Sequence, residues 1–144
     1  MRPTRRRALY LCIFISMSVN AQAPSSPEAA LEAHQQARKQ KDLPRYLATI
    51  SFQQEAVEEL RRIGREPTDA AVAEVAAKRE SQLRTHVESR GFIPDYGDCK
   101  VVRKLEDSDT QVRFILSCVS STTTLMYSVL VVRFPSGWFV VRNG

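Results

Sequence analysis

The sequence predicts an α+β fold, with the helices first and an antiparallel sheet after them. Through most of residues 24–91, apolar residues recur at three- and four-residue steps, which is the period of amphipathic helices. From residue 98 onward there are four runs rich in Val, Ile, Phe and Tyr, separated by turn residues. Because the connections between these runs are short, an antiparallel meander is the simplest topology. Helices and strands in separate blocks are typical of the α+β class.

The first 23 residues precede both blocks and have the three-part pattern of a secretory signal peptide. A basic start with four arginines is followed by the apolar stretch 8–19 and then by the small-residue sequence Ala21-Gln22-Ala23. A membrane anchor needs roughly 20 apolar residues, so this stretch is too short to serve as one. We predict cleavage after Ala23, a periplasmic or secreted protein, and no membrane attachment after cleavage.

The net positive charge of the chain belongs largely to this predicted signal. The whole chain has 21 Lys and Arg against 16 Asp and Glu. Without the four arginines of residues 1–23, 17 basic residues remain against 16 acidic ones, a net charge of +1. A nucleic-acid-binding domain needs a basic patch on its folded surface, so we predict no nucleic-acid partner. The remaining residues, 24–144, suit a single domain with a modest core.

Four helices account for the first block. We place them at residues 27–40, after Asp42, from about residue 53, and at 68–90. Ser26 and Asp42 are natural N-caps for the first two. Pro67 favours a break between the last two, although the pattern alone leaves open whether 52–90 is one helix or two. Gly91 ends the block, and residues 92–98 form a connecting loop.

Four strands are expected in the second block, a meander over 98–143. We place them at Cys99–Leu105, Gln111–Val119, Leu125–Phe134 and Trp138–Arg142. A turn centred near Ser108 keeps the apolar residues of the first two strands on one face and makes Cys99 face Cys118. Opposed side chains in an antiparallel pair have Cβ atoms about 4.5–5.5 Å apart, close to what a disulfide needs.

The two cysteines are therefore expected to form a disulfide, since an exported chain meets an oxidising compartment. Two thiols without a nearby His or Cys pair do not make a four-ligand zinc site, so we predict no metal. The sequence has no C-x-x-C motif that would suggest a catalytic dithiol. The remaining alternative is that Cys99 and Cys118 are free, buried thiols.

Continued across the sheet, this register makes both faces apolar. It also places Arg103, Phe114, Leu130 and Arg142 in one row, on the face that carries Trp138. Helices can cover one apolar face, and the other must meet a second layer, a ligand or a partner subunit. We therefore predict self-association, with a homodimer formed through the outer sheet face.

Two arginines on an apolar face must pair with carboxylates, reach solvent or bind an anion. One interpretation is that Arg103 and Arg142 pair with helix acids such as Glu55, Glu58 or Glu59. The other is a pocket for an acidic or polar small molecule, lined by the apolar members of the row and by the tryptophan, with the two arginines orienting the ligand.

Two segments resemble a known family. The opening SPEAALEAHQQARKQKDLPRYLATIS resembles the start of small NTF2-like (cystatin-like α+β) domains, and the ending LVVRFPSGWFVVRNG resembles their last hairpin. The resemblance implies a curved sheet around a cavity, often in a dimer. It implies no single activity, because the family includes isomerases, dehydratases, transport adaptors and domains without chemistry, and a fold does not determine a function.

The sequence shows no catalytic signature. His34 and His86 lie on predicted helices and are interpreted as packed or surface residues, since neither has an identifiable catalytic partner. There is no glycine-rich phosphate loop and no EF-hand pattern, so we predict no cofactor. These observations favour an exported binding or interaction domain that holds a small anionic or polar ligand. The alternatives are a cavity-based isomerase or hydrolyase, and a periplasmic inhibitor or adaptor.

Overall fold

The computed structural model describes residues 23–92 and 97–142, apart from the side chains of residues 106 and 107. All of the predicted signal peptide except Ala23 lies outside the described residues. The helices are α1 (Pro27–Lys39), α2 (Leu43–Ala48), α3 (Phe52–Arg62) and α4 (Asp69–Arg90), and the strands are β1 (Asp98–Ser108), β2 (Gln111–Val119), β3 (Thr124–Phe134) and β4 (Gly137–Val141). The predicted α+β class is confirmed, and residues 52–90 form two helices.

Local capping explains where the helices begin. The side chains of Ser26, Asp42, Ser51 and Thr68 each accept a hydrogen bond from a backbone N–H in the first turn of the helix that follows. Each cap satisfies one of the N–H groups that a helix leaves without an internal partner. Gly91 ends α4 with a φ of 77°, a backbone conformation that suits glycine. No helix within the described ranges is both long and apolar enough to cross a membrane.

The sheet is an antiparallel meander in the order β1-β2-β3-β4, as predicted. Cys99 pairs with Cys118 and Val101 pairs with Leu116, which confirms the register at the start of β1. The register then shifts between Val101 and Arg103, so that Arg103 pairs with Ile115. The predicted pairing of Arg103 with Phe114 is therefore wrong, because a β-bulge inserts one extra residue into this strand.

The predicted register of the remaining strands is also wrong, by one residue. Phe114 pairs with Val129 and Leu130 pairs with Val141, whereas we expected Phe114 opposite Leu130 and Leu130 opposite Arg142. A slip of one residue moves every side chain of a strand to the other face. The side chains of β3 at even-numbered positions consequently point away from Phe114, on the face opposite to the predicted one.

The main core lies between α1 and the inner face of the sheet. Its buried members are Ala30, Leu31, Val112, Phe114, Leu116, Cys118, Val129, Val131, Trp138 and Val140. A second cluster joins the helices to one another, through α2, α3 and α4. On the outer face, Leu130, Val132 and Val141 are buried, whereas Val119 and Met126 are exposed. The outer face is therefore partly covered by the chain itself.

The β4 edge of the sheet is covered by the segment between α2 and α3. Val140 donates its backbone N–H to the Thr49 carbonyl at 2.8 Å, and its own carbonyl accepts from the Ser51 N–H at 2.9 Å. Ile50 forms a short parallel bridge with Val140. This segment fixes the start of α3 beside the end of β4, which positions the candidate site.

Candidate functional site

A cavity of about 600 Å³ lies between the helices and strands β3 and β4. Its lining includes polar and charged side chains from α1, α4 and the chain end after β4: His34, Gln35, Arg38, Arg79, Gln82, His86 and Arg142. Tyr46 and Tyr127 also line it, together with apolar residues that include Leu31, Leu83, Val129 and Val140. No Asp or Glu belongs to this lining among the described residues.

Packing of the helices explains how the cavity forms. α1 lies on the sheet through Ala30 and Leu31, and His34 lies one turn further on the same face. α4 packs mainly on α3 and α2 rather than on the sheet, and it buries only Ala76 and Val87 among its described side chains. The second half of α4 therefore forms an outer wall that stands off the sheet and encloses the cavity.

Behind this wall, a buried carboxylate joins two of the arginines. The Glu55 side chain is fully buried. Its Oε1 accepts from the backbone N–H and the Nε–H of Arg142, both at 2.9 Å. Its Oε2 accepts from Nη2 of Arg142 at 2.8 Å and from Nε of Arg79 at 3.0 Å. Four charge-assisted hydrogen bonds thus satisfy Glu55 and tie α3, α4 and the end of β4 together.

Arg79 has a second acidic partner. One of its Nη1 hydrogens is donated to Glu59, which lies one turn after Glu55 on α3. Burial acts to lower the pKa of Arg79, but the hydrogen bonds to Glu59 and Glu55 outweigh it and raise that pKa overall. The guanidinium ions of Arg79 and Arg142 are thus held in fixed orientations while both still line the cavity.

A hydrogen-bond chain holds His34 in the cavity wall. Nδ1 of His34 lies 2.7 Å from Oγ1 of Thr49, and that hydroxyl donates to the Tyr46 carbonyl at 2.7 Å. Burial, followed by the charges of Arg38 and Arg142, lowers the pKa of His34 to about 3. The imidazole is therefore neutral at ordinary pH, and the electrostatic environment that keeps it neutral is cationic.

Aromatic rings close one side of the cavity. The ring of Tyr46 lies against His34, with centroids 4.7 Å apart, and it meets Phe92 edge-on at 5.1 Å. Burial is the main cause that raises the pKa of the Tyr46 phenol, which therefore stays protonated. The side chain of Tyr127 extends from β3 toward the disulfide, where its hydroxyl lies 3.8 Å from Sγ of Cys99.

The predicted disulfide is confirmed. The sulfur atoms of Cys99 and Cys118 are 2.08 Å apart, and the Cα atoms are 4.0 Å apart. It joins β1 to β2 at the end of the sheet that lies away from β4. Within residues 23–92 and 97–142, no group of His, Cys, Asp and Glu is arranged to hold a metal ion.

The structure does not bring the five residues of the predicted ligand pocket together. Phe114 and Trp138 are buried in the main core, and Leu130 lies on the opposite face. Arg103 is exposed on β1, so of the five only Arg142 lines the cavity. The bulge in β1 and the slipped register of β3 account for this outcome.

Sequence reasoning found part of the site and missed the rest. Pairing of Arg142 with a helix acid was one of the two interpretations, and Glu55 was one of the acids named. His34 was interpreted as a packed or surface residue, and the sequence did not single out Arg79. Their roles depend on contacts with Thr49, 15 residues away, and with Glu55, 24 residues away. No local pattern in a single sequence marks such contacts.

Comparisons of the chain with protein-family models, with curated proteins and with solved structures gave no match. The resemblance to NTF2-like domains therefore stays a prediction, and the function must be argued from the cavity.

Proposed function

We propose that this chain is an exported NTF2-like domain that binds a small molecule with an anionic group in the cavity between its helices and its sheet, without evident catalysis. One observation carries the proposal. Three arginines line the cavity, and among the described residues no acidic side chain does. Arginine suits this role because its planar fork of N–H donors matches carboxylate and phosphate groups.

The arginines that face the cavity support an anion. Glu55 and Glu59 lie behind the wall and pair with Arg79 and Arg142. Both guanidinium groups still line the cavity. In a partly enclosed site their attraction for an anionic group is stronger than in bulk water.

The size and the apolar lining indicate what else the ligand carries. Small-molecule sites are commonly about 300–1,000 Å³, mostly apolar, with a few placed polar groups. The apolar residues Leu31, Leu83, Val129 and Val140 line this cavity beside the arginines. We therefore propose an organic acid with an apolar body rather than an inorganic anion. The disulfide is in keeping with the proposed export, since such bonds persist in oxidising compartments.

Ligand capture and a thermal-shift series test the proposal. Native mass spectrometry of protein purified from the periplasm should show a co-purified organic acid. The melting temperature should rise with millimolar 3-phenylpropionate or a related acid and should not rise with the matching amide. Arg38→Gln should reduce this rise, whereas Arg84→Gln, which alters an exposed arginine paired with Glu80 on α4, should not. No co-purified species and no shift with any acid would contradict the proposal.

A cavity-based isomerase or hydrolyase is the second candidate, and the fixed neutral imidazole of His34 favours it. Isomerases that shift a double bond and many hydrolyases remove a proton from carbon, which needs a positioned base. Proton NMR in deuterated buffer tests this candidate directly, with an acid or ketone already shown to bind. Exchange of a C–H beside the carbonyl, lost in His34→Gln, would support an enzyme. A bound ligand that shows no exchange over days would leave the binding domain as the better account.

Self-association through the outer face of the sheet is a further part of the proposal. Val119 and Met126 are more than half exposed on that face, with Ile115 half-buried near them. Exposed apolar side chains grouped on one face often mark an interface. Analytical ultracentrifugation should detect a dimer at tens of micromolar, the range in which weak interfaces are populated. The variant Met126→Glu should then be monomeric, and a monomeric wild type would contradict this part.

A further inference from the structure

The hydrogen count at Thr49 fixes which nitrogen of His34 carries the proton. The Thr49 hydroxyl has one hydrogen, and its 2.7 Å contact with the Tyr46 carbonyl can only be a bond in which the hydroxyl donates. The 2.7 Å contact between Thr49 Oγ1 and Nδ1 of His34 must then be donated by Nδ1–H. In a neutral imidazole the other nitrogen, Nε2, is left with a lone pair and no hydrogen.

This lone pair is available to a ligand. Within residues 23–92 and 97–142, Nε2 of His34 makes no hydrogen bond, yet it is not among the buried polar atoms that lack a partner. The ring as a whole is 9% exposed and lines the cavity. Nε2 therefore keeps some accessible surface, and because the ring lines the cavity it can present a hydrogen-bond acceptor there.

The charged part of the wall presents donors instead. Arg142 gives two of its five guanidinium N–H groups to Glu55, which leaves three. Arg79 gives one to Glu55 and one to Glu59, which also leaves three within the described residues. Gln35, next to His34 in sequence, has a buried Nε2 with no hydrogen-bond partner there. The wall thus combines spare guanidinium and amide donors with the imidazole acceptor of His34.

We infer that the ligand carries a hydroxyl or N–H donor as well as its acid group, and that Nε2 of His34 accepts from this donor. A hydroxy acid with an apolar body is the simplest molecule of this class. The acid group would take the spare N–H groups of the arginines, and the hydroxyl would satisfy the imidazole. This inference rests on the proposed function, because it specifies the ligand of the same cavity.

Two further observations support the arrangement. His34, Arg38 and Arg142 line the same cavity, so one small molecule bound there could contact both the acceptor and the cations. The same charges and the burial of the ring keep the imidazole neutral, which preserves the lone pair over the ordinary pH range. A site built to receive a donor rejects an analogue that lacks it, because the analogue covers the acceptor and leaves it unsatisfied.

Calorimetric titration of the full exported chain with four acids tests the inference. These are 3-phenylpropionate, its 2-hydroxy and 3-hydroxy derivatives, and its 2-methoxy derivative. We expect at least one hydroxy acid to bind roughly three- to tenfold more tightly than the parent acid, the usual effect of one neutral hydrogen bond. The methoxy acid, which cannot donate, should not gain this advantage.

Variants assign the gain to the imidazole. His34→Phe keeps a ring but removes the acceptor, so it should abolish the preference for the hydroxy acid. Thr49→Val is a second variant for the case in which the first does not fold, since it removes the group that fixes the tautomer and should weaken the preference. Arg84→Gln is the control, because Arg84 is exposed on α4, pairs with Glu80 and does not belong to the lining of this cavity. It should leave the preference unchanged.

Three results would overturn the inference. If all four acids bind equally, the imidazole does not select a donor, although the proposed anion site stands. If the nitrogen NMR spectrum of the ligand-free protein shows a proton on Nε2 of His34, the inferred tautomer is wrong and the inference fails for that reason. If none of the acids binds, the inference and the proposed function fail together.

Discussion

The two edges of the sheet are secured by different means. At the β4 edge, backbone hydrogen bonds to Val140 and the buried bonds of Glu55 join the sheet to the helices. At the β1 edge, the Cys99–Cys118 disulfide joins two strands that are already neighbours. Val101 and Val102 are about half exposed there, at 49% and 54%, and the β-bulge and exposed charged residues interrupt the edge.

This difference shows which contacts hold the helical half of the chain against the sheet. The disulfide closes a loop within the meander, so it stabilises the sheet without fixing the helices. Glu55 is contacted from α4 and from the end of β4, so its bonds fix the position of the helices over the sheet. The cavity lies nearer this second edge, and the bonds of Glu55 position two of the arginines in its lining.

Glu55→Gln should have the largest effect on stability. The change keeps the shape of the side chain but leaves two guanidinium ions without their shared carboxylate, which typically costs about 3–5 kcal/mol when a buried pair is broken. Urea unfolding followed by circular dichroism measures this loss. Glu58→Gln is the control, since Glu58 is half-buried on the same helix and accepts a hydrogen bond from the neutral side chain of Gln54. A loss below about 1 kcal/mol for Glu55→Gln would show that these bonds do not hold the two halves together.

Removal of the disulfide should come next. The double variant Cys99→Ser, Cys118→Ser should lose about 3 kcal/mol of unfolding free energy, as expected for a bond that closes a loop of this length. Because the bond is remote from Glu55, its loss should add to that of Glu55→Gln within about 0.5 kcal/mol. Ligand affinity should be unchanged in the cysteine variant. A marked loss of binding would instead place the disulfide among the supports of the cavity.

His34 should make stability depend on pH. Its pKa in the folded chain, about 3, lies below the ordinary value, so between these values the unfolded chain binds a proton that the folded chain does not. The contribution of His34 to the free energy of unfolding is fully present above about pH 6.5. It falls as the pH drops toward 3, by about 1.4 kcal/mol per pH unit. Urea unfolding at pH 6, 5.25 and 4.5 should show this slope in the wild type and in His86→Gln. If His34→Gln showed a similar slope of unfolding free energy against pH, the slope would have to come from other groups.

The ion pair between Glu28 and Lys104 should have the smallest effect. It joins α1 to β1 at 2.6 Å, but both side chains are more than one third exposed. Glu28→Gln should therefore cost about 0.5 kcal/mol at neutral pH and nothing measurable in 1 M salt. Hydrogen bonding to Lys104 lowers the pKa of Glu28 in the folded chain. The ion pair therefore stabilises the fold above the ordinary pKa of a Glu side chain, and this stabilisation is lost as the pH falls through the lowered pKa. If Glu28→Gln lost as much unfolding free energy as Glu55→Gln, the β1 edge would be held to the helices as firmly as the β4 edge.

Local features of the fold could be predicted from the sequence. The helix starts at Ser26 and Asp42 follow from caps that bond within three residues. The opposition of Cys99 and Cys118 follows from a short turn and the alternation of apolar residues. The register between β2 and β3 could not be predicted in the same way, because it depends on where the loop after Val119 closes. There Ser120 and Thr123 bond to each other, and Val119 pairs directly with Thr124.

The site was less accessible to prediction than the fold. The sequence shows that Arg142 needs a partner, and Glu55 was among the acids considered, because a charge on an apolar strand must be satisfied. Their separation of 87 residues means that only the folded chain shows which acid it is. The link between His34 and Thr49 is similarly long in sequence, and neither residue carries a pattern that distinguishes it from a packed side chain.

The central claim is that the cavity beside β4 binds an organic anion. The most direct test is a nitrogen–proton NMR titration of the protein with 3-phenylpropionate. We expect shift changes that saturate at the cavity residues His34, Val129 and Arg142, while Val101, Val119 and Leu125 at the disulfide end stay unchanged. Absence of saturable changes, or changes concentrated at the disulfide end, would contradict the claim.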